Sequence, residues 1–194
     1  GQFTDWIRNA EPQALMEVNI FFDFRALWGE ELLAGELRRH IFSVVAERPV
    51  FLRHLAADTM EFRTPLDALG RIRPDHRGED HLDVKGAMLH VVNFARIYSL
   101  RHGIAETGTA ARLVALGRGA HLPADTVQDT LDAWRHLSTL RLRLQVERID
   151  RGLGPDNRVV LSALSPWDRN VLKLALTQIG NLQQRLASEI LSAI

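Results

Sequence analysis

Nearly every long segment of this chain repeats its apolar residues at helical spacing, and none sustains the two-residue alternation of a half-buried strand. That period confines the chain to an all-α class. Long helices joined by short turns further favour an antiparallel helical bundle, and length and composition predict one domain over residues 1–194. Proline and glycine set the boundaries. Thr4 can cap a short first turn, and Glu11-Pro12 starts a helix that runs to about Trp28 and stops at Gly29. A second helix is predicted from Glu30 to about Glu47, and a third from Pro49 or Val50 to about Arg63, ahead of Pro65. Leu66 to Leu82, with Gly70, Pro74 and Gly78, reads as the long loop of the first half. Helices follow over Val84–His102 with Gly103 as the stop, over Thr109–Arg118, and from the Leu122–Asp125 opening to Asp150. The last opens at Ser165-Pro166-Trp167-Asp168, where Ser165 caps and Pro166 takes the first position, and extends almost to the C-terminus.

The hydrophobic fraction of 46% and the charged fraction of 25% are those of a globular protein. Net charge is zero, which gives no electrostatic ground for a nucleic-acid partner. There is no cysteine, so disulfides, thiolate catalysis and cysteine-ligated metal are excluded. No run approaches the roughly 20 apolar residues of a membrane helix, and the N-terminus carries no signal-peptide pattern, so a cytoplasmic location is expected. Gly1 passes directly into a helix-like stretch without an initiator methionine, and the chain is expected to be a piece of a longer protein.

Charge in the wrong place marks the candidate site. Arg96, Arg141 and Arg143 interrupt apolar helical runs, and Asp23 and Arg25 interrupt Ile20-Phe21-Phe22-Asp23-Phe24-Arg25. Such groups are costly to bury unless paired. Lys85 and Arg96 lie about three turns apart on one side of a helix, with Asn93 near that stripe. Arg141 and Gln145 continue the line of Val127, Leu131, Trp134 and Ser138, so a stripe that begins apolar ends polar. Two readings stay open. These charges pair with Asp23, Asp83 or Glu147 to tie the helices together, or they converge on an anion-binding pocket for phosphate or carboxylate.

Asp75-His76-Arg77-Gly78-Glu79-Asp80-His81-Leu82-Asp83 has the residue types of a metal site without a recognised ligand spacing, so a solvated loop is expected there and no metal ligand is assigned. His40, His54, His90, His102, His121 and His136 are dispersed. There is no Gly-rich phosphate loop, no Asp-x-Asp and no Gly-x-Ser-x-Gly. By itself the chain is expected to contribute no catalytic residue.

Ile20-Phe21-Phe22-Asp23-Phe24-Arg25-Ala26-Leu27-Trp28-Gly29-Glu30, with Leu37-Arg38 after it, resembles the opening of the C-terminal substrate-binding domain of bacterial nucleotidyltransferases related to protein-PII uridylyltransferase. The resemblance continues in the family's order through Phe51–Ala56, Leu82–Gly86, Ala95–Ile104, Thr109, Arg112-Leu113 and Leu140–Gln145, covering about residues 13–190. Trp28 and Glu30 stand where the family commonly has Tyr and Asp. The resemblance implies an N-terminal nucleotidyltransferase domain, itself preceded by cystathionine-β-synthase-type (CBS) or cyclic-nucleotide-binding domains. It implies magnesium and a nucleoside triphosphate for the whole enzyme, no cofactor in this chain, and an acceptor that includes PII-like proteins. Asp23, Arg25, Asp83, Lys85, Arg96, Arg141 and Arg143 become the candidates for the substrate and inter-domain face. The rival expectation is a non-catalytic helical interaction module relaying signals from upstream ligand-sensing domains, which would show an exposed apolar patch and internally paired charges. Exposure of Trp6, Phe21 and Trp167 would permit a homodimer.

Overall fold

The computed structural model describes residues 2–8, 22–61, 64–67, 69–75 and 80–192. Among them the fold is all-α, with seven α-helices and one two-stranded ribbon. The helices are α1 (Gln2–Arg8), α2 (Glu31–Glu47), α3 (Pro49–Glu61), α4 (Val84–Arg101), α5 (Thr109–Arg118), α6 (Ala124–Asp150) and α7 (Pro166–Leu186), and a π-helical turn, Ala187–Leu191, closes the chain. No helix among the described residues is long and apolar enough to cross a membrane. The chain divides into two compact units, Gly1–Phe62 with Asn93–Pro123 and Arg185–Ile194, and Arg63–Val92 with Ala124–Gln184.

In the first unit α1 packs on α2, α2 on α3, and α3 on the π-helical turn. Ile41, Phe51, Leu55, Phe94, Ile97, Leu113 and Leu116 are fully buried, and Phe22 meets Phe51 edge-to-face with centroids 5.8 Å apart. Tyr98 is buried with its hydroxyl donating to Glu189 at 2.9 Å, which ties α4 to the last turn. Burial and the neighbouring Glu189 push its phenol well above the ordinary range.

Helix α4 ends as the sequence anticipates. Gly103 adopts φ +66°, and the Ile104 N–H reaches back to the Ser99 carbonyl at 2.9 Å in a Schellman cap. Helix α5 closes through the same long bond, His121 N–H to Leu116 O at 2.9 Å, but there the left-handed residue is Ala120, at φ +55°. The glycine stands one position early, at Gly119.

The second unit is built on α6, α7 and the start of α4, with Leu82, Val84, Val91, Leu131, Leu137, Leu140, Val159, Leu172, Leu176 and Ile179 in its core. Strands β1 (His81–Asp83) and β2 (Arg158–Val160) pair antiparallel, placing buried Leu82 opposite buried Val159. A buried polar chain crosses the core, in which Gln178 donates to Thr130 and Thr130 to the Thr126 carbonyl. Ser165 and Asp168 cap α7 reciprocally, the Asp168 N–H donating to Ser165 Oγ at 3.0 Å and Ser165 Oγ to the Asp168 carboxylate at 2.9 Å.

Three expectations need correction. Thr4 lies inside α1, buried, with its hydroxyl 2.9 Å from His40 Nε2, and caps nothing. The helix expected from Pro12 to Trp28 has its first part outside the described residues, and from Phe22 to Glu30 the chain is turn, bend and irregular backbone. The reason is competition for carbonyls, since the Phe22 and Phe24 oxygens accept from the guanidinium groups of Arg112 and Arg38. The ribbon β1–β2 was too short to leave an alternation in the sequence.

Candidate functional site

The most concentrated polar arrangement of the first unit surrounds Asp23. Helix α4 supplies Arg96, whose Nη2 donates to Asp23 Oδ2 at 2.5 Å and Nε to Oδ1 at 3.4 Å. Helix α5 supplies Arg112, whose Nη1 lies 2.7 Å from Asp23 Oδ1. Both guanidiniums are almost completely buried, at 7% and 3% exposure, while the carboxylate keeps 35%. Burial alone would favour the protonated acid. Hydrogen bonds and charge from Arg96 and Arg112 outweigh it and hold the carboxyl below its ordinary value. Burial lowers Arg112 from the usual guanidinium value, and Asp23 opposes that shift.

The arginines also hold the backbone. Arg112 Nε donates to the Glu106 carbonyl at 2.8 Å and Nη2 to Phe22 O at 3.4 Å. Arg38, from α2, donates to Phe24 O at 2.6 Å with its guanidinium 4.5 Å from the Phe24 ring centroid, a cation–π contact. Arg96 also donates to Asn93 Oδ1 at 3.2 Å. The segment Phe22-Asp23-Phe24 is thus gripped by three guanidiniums from three helices. Arg25, next along the chain, is exposed.

The remaining candidates lie in the second unit, each doing local work. Asp83 Oδ1 accepts from the Lys85 N–H at 2.9 Å and so caps α4, while its own N–H donates to Asp75. Lys85 is exposed. Arg141 Nε donates to Asn157 Oδ1 at 2.7 Å, and Gln145 donates to the same oxygen at 3.2 Å. The Asn157 carbonyl accepts from the Val84 N–H at 2.9 Å, so this asparagine joins α6 to the start of α4. Arg143, half-exposed, pairs with Asp168 at 3.3 Å and more loosely with Glu147 at 3.9 Å.

Of the seven residues singled out in the sequence, side-chain contact therefore joins only Asp23 and Arg96. Sequence reasoning missed Arg112, Arg38 and Asn157. Arg112 carried a visible signal, because it is an arginine next to Leu113 and Leu116 on the apolar side of α5. Asn157 carried none, being a polar residue in a turn. Among the described residues no three His, Asp or Glu side chains gather in a way that could hold a metal ion, and His76 and Glu79 of the acidic loop lie outside those residues. Trp167 is exposed and Trp6 half-buried, while Phe21 lies outside the described residues.

No curated protein and no solved structure matches the chain. A family model does, over residues 49–190, a span that takes in α3 to α7 and both Arg96 and Arg112. That span is well over half of the sequence, and the chain belongs to the family described as "Putative nucleotidyltransferase substrate binding domain".

Proposed function

We propose that this chain is the accessory substrate-binding domain of a signal-transduction nucleotidyltransferase that transfers uridylyl or adenylyl groups to a protein or small molecule. A catalytic domain N-terminal to it provides the chemistry, with magnesium and the nucleoside triphosphate bound there. Upstream CBS or cyclic-nucleotide-binding domains supply regulation, and a PII-like protein is one candidate acceptor. The single observation that carries this reading is the family match over residues 49–190. The structure supports it with a frame able to position a partner. Asp23, Arg96 and Arg112 fix the Phe22–Phe24 segment, and Arg25 is exposed beside it. In this reading Arg25 and Lys85 touch the acceptor or the catalytic domain directly, while Asp23, Asp83, Arg96, Arg141 and Arg143 hold the surfaces that do so.

The test is nucleotidyl transfer by the full-length polypeptide, followed with α-labelled ATP or UTP and magnesium, against the same polypeptide lacking residues 49–190. The expected outcome is loss of transfer to the acceptor. Unchanged transfer without these residues would refute the role.

A second reading, the relay module, is favoured by a different observation. Leu27, Trp28, Leu32 and Leu33 are 64–97% exposed within one short stretch. An apolar run of this kind is expected at a protein contact. If it is the contact with the catalytic domain, the two readings describe one molecule.

A further inference from the structure

The second unit contains a cleft of about 500 Å³ lined by none of the seven candidate site residues. Its size is that of a small-molecule site. One wall is a single face of α7, where Pro166, Arg169, Asn170 and Lys173 follow at helical spacing. The other is a tight loop in which Leu66 bridges Ile72 and the Asp67 carboxylate accepts from the Leu69 and Arg71 N–H groups at 2.9 and 2.8 Å. That turn presents Arg71 and Ile72 to the cleft, and Leu161 contributes an apolar surface. At Gly70, φ is +68° and a Cβ would stand 3.6 Å from Lys173 Cε, so the lysine stem runs along the glycine.

Three cations line this space, and among the described residues no carboxylate does. Arg71, Arg169 and Lys173 form no ion pair among the described residues. Arg169 is held in place by donating to the Leu161 carbonyl. Asp67 and Asp80 lie near, but each is engaged by backbone N–H groups, Asp67 by its own turn and Asp80 by Ser162 at 3.0 Å. The first turn of α7 adds the positive end of a 21-residue helix at Pro166, partly offset by Asp168. Arg71 and Arg169 interact electrostatically with Asp67 and Asp80, but neither carboxylate lines the cleft, so three cations share it against counter-charges outside it, an arrangement that favours a multiply charged anion.

We infer that the cleft bounded by Arg71, Arg169 and Lys173 binds a polyphosphate chain, with Asn170 and the apolar Ile72–Leu161 surface receiving whatever the chain is attached to. The polyphosphate rests on the cleft alone. That it belongs to a nucleoside triphosphate rests on the function proposed above.

The test is calorimetric titration of the 194-residue chain with ATP, UTP and inorganic tripolyphosphate at low and moderate salt, repeated for Arg71→Gln and Lys173→Gln. Both side chains are exposed, so the fold should tolerate their loss, and Arg118→Gln on α5 is the control. Saturable binding that weakens about tenfold in each cleft variant, weakens with salt and is unchanged in the control is expected. If tripolyphosphate binds this way and neither nucleotide does, the polyphosphate site stands and its nucleotide source is refuted. No saturable binding of any probe, or binding that the cleft variants leave unchanged, overturns the site and leaves the accessory-domain role to the transfer assay.

Discussion

Replacing Asp23 by alanine removes the carboxylate that takes 2.5 and 3.4 Å bonds from Arg96 and a 2.7 Å contact from Arg112. The two guanidiniums stay where they are, 7% and 3% exposed, in a unit whose packing was set around a counter-charge. Removing one partner of a buried pair costs about 3–5 kcal/mol, chiefly through the charge left behind. Asp23 keeps 35% exposure, so water screens part of the interaction and the low end, about 3 kcal/mol, is expected. For a chain of this length that corresponds to a fall in Tm of about 6–12 °C. The assay is urea unfolding followed by circular dichroism, with Arg96→Met and Arg112→Met completing double-mutant cycles; coupling of about 0.5–3 kcal/mol is expected for each pair. The acid limb gives an independent check. The folded carboxyl titrates below the ordinary 3.8, so its contribution is fully present above that value and is lost as pH falls through the lower folded value. Asp23→Asn should flatten that limb. A loss below about 0.5 kcal/mol in Asp23→Ala, with no coupling to either arginine, would show that the clamp does not hold this unit together.

Four further outcomes follow from the same structure. Ala120→Gly should stabilise by about 0.5–1 kcal/mol in a thermal melt, because the left-handed position closing α5 strains any residue with a Cβ. Gly119→Ala should do the reverse, since its Cβ would stand 2.7 Å from His121 Cδ2 and push away a ring stacked 4.0 Å from His102. Burial holds His90 neutral below its ordinary 6.5, so its contribution is present above that pH and is lost as pH falls through the lower folded value. Stability measured from pH 7 downward should decline less steeply in His90→Gln. Finally, Leu27→Ser with Trp28→Ser should abolish any concentration-dependent dimer seen by light scattering; a dimer that survives would move the contact elsewhere, for example to exposed Trp167.

Long periodic segments were legible in the sequence because burial writes itself into spacing. Val84–Arg101 and Ala124–Asp150 came out within two residues of their bounds, and the Ser165-Pro166-Trp167-Asp168 opening of α7 was read residue by residue. The segment Phe22–Glu30 was misread because its aromatic spacing also fits a helix; what decides it is the use of its carbonyls by arginines 14 and 90 residues away, which no local pattern carries. The suspicion attached to Asp23 and Arg96 pointed to a real cluster, but the third member, Arg112, was named only within the family resemblance, although its place on the apolar side of α5 beside Leu113 and Leu116 carried the same signal. Arg169 and Lys173 were passed over because a basic stripe on the polar side of a helix is the ordinary appearance of a solvated face. Only the fold shows that the loop carrying Arg71 lies against it.

An arginine in an apolar run is a weak guide to function until its counter-charge is known, and the two charged clusters of this chain show why. At Asp23 the arginines are buried and matched by a carboxylate and by backbone carbonyls, so their binding capacity is spent on the Phe22–Phe24 segment. At the α7 cleft the cations are exposed, converge on one space that no described carboxylate lines, and form no ion pair among the described residues, so most of their capacity remains available. Burial and pairing make a clamp; exposure and convergence make a binding site. The two should therefore separate in experiment. Asp23→Ala should lower stability with little effect on anion binding per folded molecule, and Lys173→Gln should lower binding with stability within about 0.5 kcal/mol of the parent. A Lys173→Gln variant that unfolded as readily as Asp23→Ala would make the cleft a structural element, and the distinction drawn between the two clusters would fail.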